Sequence, residues 1–133
     1  MNNTNEKTNE VYDNLKLEEA VRLFNQREWY LAHDAFEEIW HETYGPERII
    51  IQALVQISVA EVHLESGNTN GAKILFGEGL GRLKSQSFTD MGFDIELLIE
   101  LLQKRLSQLQ KENDPDSFTV PFLSKITPDI VDL

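Results

Sequence analysis

The sequence predicts an all-α fold, a single multihelical bundle of about five helices, and three observations carry that expectation. Apolar residues recur at helical spacing through its long segments. Short breaks rich in Gly, Pro, Asn and Asp separate those segments. Neither strand-like alternation nor an internal repeat of helical-repeat period is visible.

Residues 1–9, rich in Asn, Thr and Glu with nothing to bury, are expected to form a disordered leader. The first helix is predicted to begin near Val11 and to bury Leu15, Ala20, Val21, Leu23 and Phe24. Asn25 is its natural stop, because Asn tolerates the left-handed conformation that often ends a helix. A second helix, 28–43, runs into "YGPER", where Gly45 breaks the chain and Pro46 opens the next helix, its missing N–H costing nothing in a first turn. The third helix, 46–65, is apolar almost all the way round and is therefore expected at the centre. "SGNTNGA" supplies a turn and a fourth helix, 69–85, with Ala72, Ile74, Leu75, Phe76, Leu80 and Leu83 facing inward. Its glycines at 77, 79 and 81 each cost about 1 kcal/mol of helix propensity and point either to close helix contact or to local distortion. "SQSFTDMGFD" reads as a loop with two aromatic plugs, and Asp94 caps a fifth helix, to about residue 112, with Ile95, Leu98, Ile99, Leu102, Leu106 and Leu109 along one buried stripe. The remainder, broken by Pro121 and Pro128, is expected to lie extended on the bundle. The predicted organisation is a leader (1–9), a bundle domain (10–112) and a packed tail (113–133).

Charge and composition narrow the function. Of 133 residues, 23 are acidic and 12 basic, a formal charge of −11 that repels phosphate, so nucleic acid is not expected as a partner. The chain has no cysteine, which removes disulfides, thiolate nucleophiles and cysteine zinc sites. The longest apolar run, "IIIQALVQISVA", is interrupted by two glutamines and is too short to span a bilayer. No Lys- and Arg-rich amphipathic face and no signal-like stretch is visible, so a cytoplasmic protein without membrane association is expected.

Chemistry concentrates on two helices. At about 100° per residue, Trp29, His33, Phe36, Glu37, Trp40 and Tyr44 share roughly one third of the second helix. On the third, Arg48, Gln52, Gln56 and His63 recur within about 80° of one another, a polar seam on an otherwise apolar helix. An unpartnered buried polar group costs about 1–3 kcal/mol, so two such seams on successive antiparallel helices are most economically explained if they face each other. Arg48 then lies nearer Trp40 and Tyr44, His63 nearer Trp29 and His33, and Glu37 is the anionic partner through Gln52 or Arg48. Asn68 closes the far end. A structural network fixing helix register uses these residues as well as a pocket would.

At these residues the sequence resembles a known family. "FNQREWYLAHDAFEEIW" followed by "RIIIQALVQISVAEVHLESGNTNGAKILF" is similar to the domain-of-unknown-function family numbered 309, small helical proteins of bacteria, archaea and plastids. The resemblance covers about residues 20–85 and rests on Phe24-Asn25, Ala32-His33, Glu37, Trp40, Arg48, Gln52, Gln56, His63, Gly67-Asn68 and Gly71-Ala72. Ala53 stands where the family often has glycine, and Asp34 where glutamate is frequent. The resemblance implies a multihelical bundle and no established activity.

Three functional readings stay open. The first is a small binding or interaction module, in which Arg48 holds an anionic group, Gln52 and Gln56 orient it and Trp40 supplies an apolar wall. A second is a metal-dependent, hydrolase-like enzyme in which His33, Glu37 and His63 are the metal-ligand candidates and Glu37 or His33 the general base. The third is a structural assembly protein, with a protein partner or a second copy on its exposed faces. The sequence names no cofactor.

Overall fold

A computed structural model describes residues 15–111 and 119–126; the expected leader and the Pro128 end of the tail lie outside the described residues. The described chain is five helices without a strand: α1 (15–25), α2 (Trp29–His41), α3 (Pro46–Glu65), α4 (Thr69–Ser85) and α5 (Ile95–Gln110). α3 packs against both α2 and α4, and α4 packs against α5, so the most uniformly apolar helix is the central one.

α1 buries Ala20 and Phe24, with Val21 and Leu23 packed beside them. Leu15 departs from expectation: it is exposed, because it lines a surface groove with Met91, Phe93 and Leu123 instead of entering the core. The left-handed residue after α1 is Arg27 (φ 61°), not Asn25. The Asn25 amide is used otherwise: its Nδ2 donates to the Leu123 carbonyl at 2.9 Å and its Oδ1 accepts from the Leu123 amide at 2.7 Å. Phe24 then meets Trp29 and Phe36 edge-on, at 5.0 and 6.1 Å between ring centroids. Spacings of three and four put Trp29, Ala32, Phe36 and Ile39 on the buried face of α2.

The break to α3 follows from Gly45, at φ 71°, and from Pro46 in the first turn. Ile50, Ile51, Ala53, Leu54, Ile57 and Ala60 fill the core, and the buried Ser58 hydroxyl donates to the Leu54 carbonyl at 2.8 Å. α4 begins at a capping Asn68, whose Oδ1 accepts from the Gly71 amide at 3.0 Å. A Cβ at position 71 would sit 2.5 Å from Asn68 Nδ2, so any larger residue there would displace the capping side chain. Of Gly77, Gly79 and Gly81 only Gly79 is pressed against a neighbouring helix: its Cβ would lie 3.1 Å from Ile57 Cγ1 and 3.3 Å from the Ala53 carbonyl, whereas a Cβ at Gly77 or Gly81 would meet nothing within 4 Å among the described residues. Close α3–α4 contact is therefore the reason for Gly79. Ala72, Phe76, Gly79 and Leu83 form that face; Ile74 falls on the other side of the helix and is exposed.

One of the two expected plugs is real, since Phe93 is buried and Phe88 stands 96% exposed. Asp94 accepts from the Leu97 amide at 2.9 Å and starts α5. Residues 119–126 run extended across the bundle. The Asp94 amide donates to Ser124, the Ile126 amide donates to Gly92, and Phe93 forms an antiparallel bridge with Lys125. Pro121 and Leu123 are buried beneath them. Among the described residues, no helix is long and apolar enough to cross a membrane.

Candidate functional site

Antiparallel packing of α2 and α3 sets the positions of the polar residues, and the structure divides them into separate contacts. On α2, His33 and Glu37 meet across one turn, Nε2 to Oε2 at 3.0 Å. His33 Nδ1 lies 3.4 Å from Asp34 Oδ1, and Tyr30 packs against the ring with centroids 5.6 Å apart. Glu37 is thus partnered within its own helix, not by Arg48 or Gln52 across the interface, and its carboxylate is about half exposed. His33, Asp34 and Glu37 bring one potential ligand atom each to within 4.8 Å of one another. His63 is not in that group; its Nδ1 lies 3.3 Å from the Asn68 amide nitrogen beyond the end of α3.

Near the other end of α2, Arg48 lies where antiparallel packing assigns it. Its guanidinium stacks over the Trp40 ring at 3.9 Å from the centroid, and Nη1 donates to the Thr43 carbonyl at 3.3 Å. Tyr44, placed on the same stripe by periodicity, is exposed because the helix has already ended at His41. The Trp40 Nε1 is buried and has no hydrogen-bond partner among the described residues. Gln52 makes no hydrogen bond among the described residues. Gln56 turns away toward α4, accepting from Arg82 Nη1 at 3.2 Å. The two seams therefore do not merge into one network: they leave a His33–Glu37–Asp34 cluster, an Arg48–Trp40 stack, and single ties at Gln56 and His63.

The most deeply buried polar pair was not among the sequence candidates. Arg105 of α5 donates through Nη2 to Glu61 Oε1 of α3 at 2.6 Å, with side chains 6% and 3% exposed. Arg105 Nη1 donates to the Thr119 carbonyl at 2.9 Å, while Glu61 Oε2 and Arg105 Nε have no partner among the described residues. Burial pushes the Glu61 carboxyl above its usual range; Arg105 opposes this, Glu65 adds to it and Arg27 subtracts. Both residues line a cavity of about 330 Å³ with Arg27, Trp29, Leu64, Glu65 and Val120. The signal was in the spacing. Leu98, Leu102, Arg105 and Leu109 are separated by four, three and four residues, which sets Arg105 on the buried stripe of α5. Glu61 likewise continues Leu54, Ile57 and Ser58 on α3, and opposite charges on two buried stripes call for pairing.

Comparison with curated proteins finds no match. Residues 17–75, which include His33, Glu37, Trp40, Arg48, Gln52, Gln56, His63 and Glu61, match the family model described as Domain of unknown function (DUF309), the family whose residue pattern the sequence resembles.

Proposed function

We propose that the chain is a small helical binding module for an anionic ligand, and that Arg48, Gln52 and Trp40 form its binding face. The observation that carries this reading is the Arg48 guanidinium, laid over the Trp40 ring at 3.9 Å with a single 3.3 Å hydrogen bond to a carbonyl and no carboxylate partner among the described residues. In a chain of charge −11, an unneutralised and half-buried cation is unusual. A guanidinium offers five donors in a fixed fork matched to carboxylate or phosphate, and stacking holds that fork in place before the ligand arrives. Gln52, half-buried one helical turn along from Arg48, makes no hydrogen bond among the described residues, so its amide can orient a ligand held there. Because Glu37 is drawn to His33, it leaves Arg48 uncompensated.

The metal-dependent alternative with His33, Glu37 and His63 has less support. The Asp34 and Glu37 side chains are 59% and 47% exposed, and each faces a different nitrogen of the one imidazole. A single ion takes only one of those nitrogens.

The binding reading is tested by isothermal titration of the protein with orthophosphate and with citrate, beside Arg48→Met, which keeps the stem over Trp40 and removes the charge. Saturable binding that weakens tenfold or more in Arg48→Met, with the fold intact by circular dichroism, is expected. No heat at millimolar ligand, or equal binding by the variant, overturns the reading.

A further inference from the structure

The polar row of α3 does not stop at Arg48. Arg48, Gln52 and Gln56 stand one turn apart, and each step of four residues advances about 40° round the helix, so the row crosses the outer face of α3 obliquely. Its two ends accordingly meet different neighbours. Arg48 stacks on Trp40 of α2, whereas Gln56 accepts from Arg82 Nη1 of α4 at 3.2 Å. α3 packs against both of those helices, so the row runs along the strip of α3 left between them.

The far end repeats the chemistry of the near one. Arg82, like Arg48, has one side-chain hydrogen bond, to an uncharged oxygen, and no carboxylate partner among the described residues. Each guanidinium therefore keeps most of its fork of donors for an anion. Gln56 orients Arg82 by accepting from it, as the Trp40 ring orients Arg48, so both forks are held before a ligand arrives. Gln52 lies between them with its amide unengaged among the described residues, and no acid stands on the row itself. Arg48, Gln52, Gln56 and Arg82 are all half-buried, so each retains surface that a ligand can reach.

We propose that the ligand of the Arg48 site is an elongated dianion with carboxylate or phosphate ends, one end on Arg48, the other on Arg82, and an uncharged middle over Gln52. This rests on the anion-binding reading of Arg48 and adds a second anchor to it. Eight residues of helix rise by about 12 Å, which sets the scale of the separation between the two anionic groups. A compact anion reaches one guanidinium and leaves the other without a counter-charge. A ligand that spans both forms its second ion pair at the high effective concentration set by the first.

The test is isothermal titration of the full chain with orthophosphate, octanoate, the α,ω-dicarboxylates from succinate to sebacate, and a hexanediol bisphosphate. A long dianion should bind at least tenfold more tightly than orthophosphate, octanoate or succinate. Arg82→Met, with its fold checked by circular dichroism, should reduce the long dianion to the level of octanoate and leave orthophosphate binding at Arg48 unchanged. Arg82→Lys keeps the charge and should retain the preference for length. Affinity that does not depend on ligand length, or a long dianion bound as tightly by Arg82→Met as by the parent, overturns the dianion and leaves the anion site at Arg48 standing. No heat from any of these ligands, orthophosphate included, removes both.

Discussion

At the scale of single residues, the amide of Asn25 shows how one side chain can fix a distant segment. It satisfies both the N–H and the C=O of Leu123, 98 positions along the chain, so the extended tail acquires at that point the pairing a strand would give it. The tail also carries Thr119, whose carbonyl accepts from Arg105, and the buried Leu123 side chain. Losing the amide leaves both backbone groups without their partner, and each such loss costs about 1–3 kcal/mol where water cannot replace it. Asn25→Ala is therefore expected to lower unfolding stability by about 2 kcal/mol in urea denaturation. The Leu123 amide should at the same time lose its protection from hydrogen exchange. Unchanged protection would mean that Pro121, Leu123 and the Phe93–Lys125 bridge hold the tail without the clamp.

At the scale of elements, the glycines of α4 separate two effects that the sequence presents as one. Gly77 and Gly81 are exposed, and a methyl group at either position would meet nothing within 4 Å. Gly77→Ala should then raise stability by the helix-propensity difference, about 1 kcal/mol. Gly79→Val should destabilise, because Ile57 and the Ala53 carbonyl already lie at contact distance from where its Cβ would be. Urea midpoints measured side by side decide this, and a stabilised Gly79→Val would remove close approach as the reason for that glycine. The same contrast explains what the sequence made legible. Helix bounds followed from local signals, the Gly45-Pro46 break, the Asn68 cap and the Asp94 cap, each acting within one turn. Single-sided periodicity also placed Trp40 against Arg48. What failed was partner choice among long polar side chains. Gln56 had α4 within reach as well as α2, His33 and Glu37 satisfied each other at one-turn spacing, and His63 found Asn68 in the next turn. The contact between Glu61 and Arg105 spans 44 positions, and nothing local in either helix announces its partner.

At the scale of the whole molecule, the Glu61–Arg105 pair joins the central helix to the last one, and through Thr119 to the tail. Such a pair is costly to bury, since its mutual attraction must offset the desolvation of both ions. Burial and the nearby Glu65 raise the Glu61 carboxyl above the 4.5 it has in the unfolded chain, despite the guanidinium beside it. Between that pH and the higher folded value, the native state holds a proton that the unfolded state lacks. The contribution of this group to stability is therefore fully present below about pH 4.5 and falls as pH rises through its folded value. This runs against the usual acid lability of an acidic protein, so the total profile, dominated by its other carboxylates, would hide it. Glu61→Gln keeps the shape and a hydrogen-bonding oxygen for Arg105 but does not titrate, so the difference between parent and variant isolates the effect. Urea denaturation of both from about pH 4 to about pH 8 should show the parent losing ground to Glu61→Gln as pH rises. A difference that is flat, or that grows in the parent's favour, would mean that Arg105 outweighs burial and that Glu61 is a fully stabilised anion.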